Sequence, residues 1–167
     1  DEILESEGMD RLHMELSTSQ KELIKAVCAV NTNVILVLSG GAPFVMPERN
    51  LYRAAIHGYL GGQAGAGAMA DAILGKINPS GKLNETWSLA LEDVSATPYF
   101  PSKERTAEYR EGLFVGYRYF ESAGVPVRYP FGYGLSYTDF EFRGLSLSAQ
   151  TIAPGEQIVA SVTVANT

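Results

Sequence analysis

The sequence has one cysteine, two histidines and no long apolar run, and each scarcity excludes a class of protein. Cys28 can form no intramolecular disulfide and has no CxxC partner. His13 and His57 stand alone, without the spacing of a metal site. The longest aliphatic stretch, residues 34–38, is far shorter than the roughly 20 residues that span a bilayer. The sequence therefore predicts no metal, no other cofactor and no membrane partner.

Positive charge is also scarce. In 167 residues, 13 lysines and arginines stand against 19 aspartates and glutamates, and the net charge is -6. This sign is wrong for a surface that binds phosphates, so we expect no nucleic-acid partner. The glycine-rich stretch at residues 61–67 lacks both the Lys-Ser/Thr pair and the GxGxxG spacing of nucleotide-binding loops. A nucleotide-binding α/β domain stays as an alternative, which a thermal shift with nucleotides would reveal.

Helix and strand patterns alternate in the first half of the chain. Residues 17–30 have helical periodicity, with Ser19 and Glu22 at capping-box spacing and Cys28 on the apolar face. Residues 34–38 form a continuous apolar run, typical of strands that are buried on both faces of a parallel sheet. The pattern thus begins with one helix and one buried strand.

The alternation continues to residue 87. Pro47 can begin a helix that runs to about Ile56, and a helix of small residues is predicted at 64–74, ended by Gly75. Residues 82–87 read as a strand. The sequence therefore predicts an α/β fold in which a mostly parallel sheet is flanked by helices, an α/β sandwich. After residue 87 the periodicity is lost, which indicates a long loop.

The last part of the chain has strand character. Residues 140–148 and 157–165 alternate polar and apolar side chains, and a turn is predicted at 153–156. Because two or three strands cannot bury a core, we interpret them as the first strands of an incomplete β-sandwich. Since the sequence begins at Asp1, we expect it to be a piece of a longer protein. The predicted units are an α/β-sandwich domain at 1–87, which can lack its first elements, an aromatic-rich linker at 88–138 and a truncated β-domain at 139–167.

Aromatic residues are concentrated in one stretch. Of the 17 aromatic residues, 13 lie between Tyr99 and Phe142. Such a density can form a surface on which sugars stack or a contact between domains. We favour the contact between domains, because aromatic side chains supply large buried areas wherever loops must be held in place.

Few side chains are arranged for catalysis. No Gly-x-Ser-x-Gly motif is present, which argues against a serine nucleophile of the hydrolase type. The densest polar cluster is acidic and lies at residues 1–11. Composition alone favours a solvated loop there. The glycine-rich loop at 39–43 follows the first predicted strand, at the end where α/β sheets bind ligands, although a plain strand-to-helix turn explains it equally well.

An ordered set of motifs resembles family three of the glycoside hydrolases, the β-glucosidase family. Residues 5–11, ESEGMDR, resemble its (S/T)EGxDR signature. The chain departs from the family pattern at Ser17 and Asn84, where a proline is common. The further matches, in chain order, are residues 33–43 with 46–47, 62–63 with 65–74, 78–83, 109–112, 116–120 and 130–140.

The resemblance implies a fold, a reaction and a catalytic residue. The fold is the second, α/β-sandwich domain of the family, followed by the start of a fibronectin-type-III-like domain. The reaction is retaining hydrolysis of terminal β-linked sugars by two carboxylates. The general acid/base maps onto Glu7, with Glu5 as the fallback, and Asp10 and Arg11 would pair with each other or fix the loop.

The resemblance also implies what the chain lacks. The aspartate nucleophile belongs to a TIM-barrel domain on another segment or chain, so we expect this chain alone to be inactive. The expected partners are that barrel and a β-linked oligosaccharide or glycoside. The alternative is a non-catalytic carbohydrate-binding or scaffold domain of the same ancestry, in which Glu7 has no role.

Overall fold

The computed structural model describes residues 7–8 and 11–167. Helices and strands alternate in it, and the predicted α/β class is confirmed. Beyond these elements, Leu91–Asp93 form a short 3-10 turn. The elements are α1 Thr18–Val30, β1 Ile35–Leu38, β2 Ala54–His57, α2 Gly65–Ile73, β3 Trp87–Ser88, α3 Tyr117–Ala123, β4 Val127–Tyr129, β5 Phe140–Leu147 and β6 Ala160–Asn166.

The first helix forms where the periodicity predicts it, but a different pair caps it. The N–H of Gln20 donates to Ser17 Oγ at 3.3 Å, and the N–H of Ser17 donates to Gln20 Oε1 at 3.0 Å. This reciprocal pair has the same spacing as Ser19 and Glu22, so the predicted capping box was wrong by two residues. Cys28 is half-buried on α1.

Strands β1 and β2 pair in parallel, in a register that places Leu38 opposite His57. Leu36 is buried, with 8% of its surface exposed, whereas Ile35 and Val37 are 51% and 55% exposed. The expected burial on both faces is therefore wrong within the described part of the chain, because only the Leu36 face is covered there.

The helix predicted from Pro47 to about Ile56 does not form. Residues 48–51 make a turn, and β2 begins shortly after it. One guanidinium nitrogen of Arg128 donates to the Pro47 carbonyl and to the Tyr52 hydroxyl, both at 2.9 Å. These bonds hold the segment at both of its ends, so tertiary contacts override the local helical signal.

The helix of small residues predicted at 64–74 is confirmed as α2. It ends before Gly75, whose φ of +71° lies in the left-handed region that favours glycine. The absence of a side chain at Gly58, just after β2, lets Met69 of α2 pack closely there, since a Cβ on Gly58 would lie 2.9 Å from Met69 Sδ. α2 therefore covers the carboxyl end of β2.

The strand predicted at 82–87 is reduced to β3, which pairs with the antiparallel β4. Upstream of β3 the backbone bonds to another segment instead. The N–H of Leu83 donates to the Tyr133 carbonyl, and the N–H of Gly132 donates to the Leu83 carbonyl, both at 2.8 Å. We call this contact of residues 78–86 with residues 131–137 the central junction.

Side chains extend the central junction. Asn78 Nδ2 donates to Ser136 Oγ at 2.8 Å, and its Oδ1 accepts the Tyr137 N–H at 3.1 Å. Gly134 lies so close to the Gly81 carbonyl that a Cβ there would overlap the oxygen. Two segments that are about fifty residues apart are thus joined by several hydrogen bonds and one steric fit.

Helix α3 and strand β4 are not predicted from the sequence. α3 begins after Gly116 and ends at Gly124, whose φ is +65°. Phe120 is buried, whereas most neighbouring side chains on α3 are exposed. The dense aromatic composition of this region hides the helical periodicity, because apolar side chains occur on more than one face.

The two strands predicted at the C-terminal end are confirmed as β5 and β6. They pair antiparallel, with Phe140 opposite Asn166, and the predicted turn forms where the N–H of Glu156 donates to the Ala153 carbonyl at 3.1 Å. Every residue of β5 is exposed. The division at residues 88 and 139 and the truncated β-sandwich stay predictions.

Candidate active site

The segment that follows Glu7 is fixed to the loop that follows β1. Arg11 Nη1 donates to the Pro43 carbonyl at 3.3 Å, and the N–H of Val45 donates to the Met14 carbonyl at 2.7 Å. We call this contact of residues 11–14 with residues 43–45 the N-terminal junction. It brings Arg11, the last residue of the predicted acidic loop, to the glycine-rich loop at 39–43.

Glu7 is exposed and lies in a turn with Gly8, whose φ of +78° requires a residue that tolerates the left-handed region. Three residues lie between Glu7 and Arg11, so the Glu7 Cα lies within about 14 Å of the Arg11 Cα. The fallback Glu5 and the proposed partner Asp10 lie outside the described residues. The expected pairing of Asp10 with Arg11 therefore stays a prediction.

The carboxyl end of the parallel pair is closely bonded. Ser39 Oγ donates to the Tyr59 carbonyl at 2.8 Å, and the N–H of Gly58 donates to the Leu38 carbonyl at 3.0 Å. Tyr59 has a φ of +48°, which is uncommon for a bulky residue and is sustained here by those bonds. The loop at 39–43 thus stands, as predicted, at the end of the sheet where ligands bind in α/β folds.

Behind this edge lies an aromatic cluster centred on Trp87, which is 2% exposed. Its ring lies 5.0 Å from Phe44, 5.1 Å from His57 and 6.2 Å from Tyr129, each edge-on. Such pairs contribute about 0.5–1.5 kcal/mol each beyond the burial of their area. The sequence does not reveal this cluster, because its members come from four separate segments and three lie outside the aromatic-rich stretch.

Glu85 is a second carboxylate that the sequence analysis missed. Burial raises the pKa of Glu85, and the nearby Tyr59 hydroxyl offsets part of that rise. Burial also raises the pKa of Tyr59, against the nearby Trp87 indole, which lowers it. No sequence signal marks Glu85, because its half-buried position depends on the packing of Tyr59 and Trp87 around it.

A pair of tyrosines lies beyond Trp87. The hydroxyls of Tyr52 and Tyr129 are 3.4 Å apart, and Arg128 bonds to Tyr52. Burial raises the pKa of Tyr52. Burial also raises the pKa of Tyr129, but the hydrogen bonds from Tyr52 and Arg128 and the charges of Arg128 and Arg49 outweigh it, so the pKa is lowered. The group fixes the turn at 48–51 to β4.

The aromatic-rich stretch exposes much of its apolar surface. Tyr109 and Leu113 are 90% and 78% exposed. An open cavity of about 440 Å³ lies between the segment before residue 115 and α3, and the Arg110 guanidinium lies 4.9 Å from the Tyr99 ring centre at its edge. Both predicted roles, a contact between domains and a sugar-stacking surface, fit this geometry.

Within residues 7–8 and 11–167, no three His, Cys, Asp or Glu side chains are grouped so that they could hold a metal ion. In the same ranges, each helix is too short or too polar to cross a bilayer.

The geometry defines an α/β domain with an exposed glutamate turn at residues 7–8 and, from Arg11 onward, a segment that is bonded to the loop after a parallel strand pair. Residues 1–137 match the Glycosyl hydrolase family 3 C-terminal domain. The chain therefore belongs to glycosyl hydrolase family 3, in agreement with the motifs of the sequence.

The names of the curated relatives state two activities. The chain is 44% identical over 162 residues to thermostable β-glucosidase B of Acetivibrio thermocellus, with 97% of the chain and 22% of that protein covered. It is 40% identical over 163 residues to an exo-α-(1→6)-L-arabinopyranosidase of Bifidobacterium longum, with 97% and 21% covered. The chain thus spans about a fifth of the length of the curated relatives it matches.

Solved structures of the family have the same fold. A β-glucosidase of family 3 from Bifidobacterium adolescentis superimposes with a TM-score of 0.92 at 41% identity, over 99% of this chain and 24% of that one. The β-glucosidase DesR of Streptomyces venezuelae, solved with D-glucose, gives 0.86 at 36% identity, over 97% and 21%. The chain is therefore similar to one domain of larger hydrolases.

Proposed function

We propose that the protein containing this chain is a retaining exo-β-glycosidase, and that this chain supplies its general acid/base, Glu7. The observation that carries the proposal is that Glu7 lies in an exposed turn, four positions before Arg11, which bonds to the loop after β1. That position leaves the carboxylate accessible to a substrate held by another domain. The match of residues 5–11 to the family signature supports it.

In the proposed reaction, Glu7 acts twice. In the first step its carboxyl proton passes to the glycosidic oxygen as an aspartate nucleophile attacks the anomeric carbon and the alcohol leaves. In the second step the Glu7 carboxylate takes a proton from water, which attacks the glycosyl-enzyme and releases the sugar. The nucleophile belongs to a TIM-barrel domain outside these residues. One carboxylate cannot complete both steps, so the chain alone is inactive.

The substrate is a terminal β-linked sugar, with β-glucosides as the first choice. The support comes from the names of the relatives, most of which are β-glucosidases. A relative of similar identity is named as an arabinopyranosidase, so this domain alone does not determine the sugar. The barrel, which would hold most of the substrate, is the expected source of that choice.

The alternative is a non-catalytic carbohydrate-binding or scaffold domain. The exposed cavity with Tyr99 and Arg110 at its edge is the observation that favours it. The two functions differ at Glu7, since a scaffold does not need that carboxylate.

The test is Glu7→Gln in the full-length protein, assayed on aryl and alkyl β-glucosides of increasing leaving-group pKa. Because acid catalysis helps poor leaving groups most, we expect kcat/KM to fall by about 10²–10⁴-fold for an alkyl glucoside and far less for the dinitrophenyl glucoside. The matched control is Glu22→Gln, which changes an exposed glutamate on α1. A Glu7→Gln variant with unchanged kcat/KM on all substrates would support the scaffold instead.

A further inference from the structure

Arg11 makes the side-chain bond of the N-terminal junction. Its Nη1 donates to the Pro43 carbonyl, 32 residues away, at 3.3 Å in a partly buried position. Proline has a fixed φ, so the acceptor belongs to a stiff part of the loop after β1. The second bond of the junction, from Val45 to Met14, joins two backbone groups and does not depend on side-chain identity. Arg11 is thus the part of the junction that the sequence specifies.

The Arg11 bond joins the segment that carries the proposed acid/base to the rest of the domain. Glu7 lies four residues upstream, in an exposed turn with Gly8. A glycine in that turn adds backbone freedom, which must be restricted elsewhere if the carboxylate is to hold one position. The Arg11–Pro43 bond is the next described side-chain bond along the chain, and it restricts the turn from the C-terminal side.

We propose that Arg11 is a positioning residue for the general acid/base, acting by fixing the Glu7 turn to the Pro43 carbonyl. This inference rests on the proposed function of Glu7. Catalytic groups must be held within about 0.5 Å of the productive geometry, and an error of about 1 Å can lower the rate 10²-fold. Loss of the bond would therefore reduce proton transfer while leaving the fold intact.

The chemistry of arginine suits this role. A guanidinium stays charged at all working pH values and presents its donors in a rigid plane. A hydrogen bond from a charged donor to a carbonyl is stronger than one between neutral groups. Lysine can donate to the same carbonyl, but as a flexible point donor it would fix the turn less firmly.

The test is Arg11→Gln in the full-length protein, measured on an alkyl β-glucoside and on 2,4-dinitrophenyl β-glucoside. We expect kcat/KM to fall about 10–100-fold for the alkyl glucoside and less than about 3-fold for the dinitrophenyl glucoside, because only the former needs the proton in the first step. The thermal midpoint should stay within about 2 °C of the wild type, as for most substitutions that affect a single partly exposed bond. Arg11→Lys should lose less than Arg11→Gln, with the same dependence on leaving group.

Arg128→Gln is the matched control. Arg128 makes the same type of bond, from a guanidinium to the Pro47 carbonyl, at 2.9 Å, and also bonds to Tyr52. It lies behind the aromatic cluster and fixes a structural turn. We therefore expect Arg128→Gln to lower the thermal midpoint and to change kcat/KM for both substrates by the same factor.

Three results would overturn the inference. The first is an equal loss of kcat/KM on both substrates after Arg11→Gln, as expected for the control. The second is no loss on either substrate. The third is failure of both Arg11 variants to fold, which would assign Arg11 to stability. Failure of the underlying function has a different signature, because Glu7→Gln would then also lack any dependence on leaving group. If Glu7→Gln shows that dependence and Arg11→Gln does not, only the inference on Arg11 fails.

Discussion

The N-terminal junction and the central junction both join distant segments, but the first adjoins an exposed turn, whereas the second is a close fit of two backbone segments. Arg11 and Val45 donate hydrogen bonds across the N-terminal junction, and the adjoining Glu7 turn is exposed. The central junction has two backbone bonds at 2.8 Å, the two amide bonds of Asn78 and the tight approach of Gly134 to Gly81.

This difference separates stability from the proposed chemistry. A densely bonded contact opens only when much of the domain unfolds, whereas an exposed turn can adjust at a small cost. A general acid/base that must contact a substrate on another domain is expected on such an adjustable segment. Substitutions in the central junction should therefore change stability, and substitutions in the N-terminal junction should change proton transfer.

Gly134→Ala, in the central junction, is expected to have the largest effect on the free energy of unfolding. The new Cβ would overlap the Gly81 carbonyl oxygen, and backbone cannot move aside as a flexible side chain can. We expect a loss of about 3 kcal/mol in the free energy of unfolding, measured by urea titration of the full-length protein. Gly81→Ala is the control, because a Cβ there meets nothing within 4 Å and should cost less than about 1 kcal/mol. Equal losses would contradict the steric explanation.

Asn78→Ala should have an intermediate effect. The substitution removes the bond to Ser136 and the bond from the Tyr137 N–H. Since Asn78 is exposed and water can replace part of the lost bonding, we expect about 1–2 kcal/mol of destabilisation by the same titration. Asn78→Asp keeps an acceptor for both partners and should cost less. The role of the side chain is disproved if the two variants are equally stable.

Glu85→Gln should have the smallest effect and tests the aromatic cluster next to the central junction. Burial raises the pKa of Glu85, so the protonated carboxyl is favoured in the folded state. The resulting stability is present below the ordinary value of 4.5 and is lost as the pH rises through the raised pKa. Glutamine cannot ionise, so the variant should lack this decline when unfolding is followed from pH 4 upward. Glu22→Gln controls for the loss of one surface charge, and identical profiles for wild type and Glu85→Gln would refute the prediction.

Local patterns in the sequence predict part of this fold. α1, α2, β5 and β6 form where periodicity, small residues and turn residues indicate them, because each is determined by neighbours in the chain. The helix expected after Pro47 fails because Arg128, far along the chain, bonds to that segment. Long-range bonds of this kind leave no trace in a window of a dozen residues.

The candidate site shows the same division. The motif at residues 5–11 and the loop at 39–43 are visible in the sequence, but their joining by Arg11 and Pro43 is not. In the same way the motifs at 78–83 and 130–140 are both recognisable, whereas their contact across the central junction appears only in the fold. Glu85 and the cluster around Trp87 have no sequence signal, because each depends on several separate segments.

The most direct test of the central claim is chemical rescue of Glu7→Gly in the full-length protein by azide, with dinitrophenyl β-glucoside as substrate. The substrate forms the glycosyl-enzyme without acid help, and the missing carboxylate then slows the attack of water. We predict that azide, an anion that needs no general base, restores turnover and yields β-glucosyl azide with retained configuration. A Glu7→Gly variant that is as active as the wild type, or one that azide does not accelerate, would contradict the assignment of Glu7 as the general acid/base.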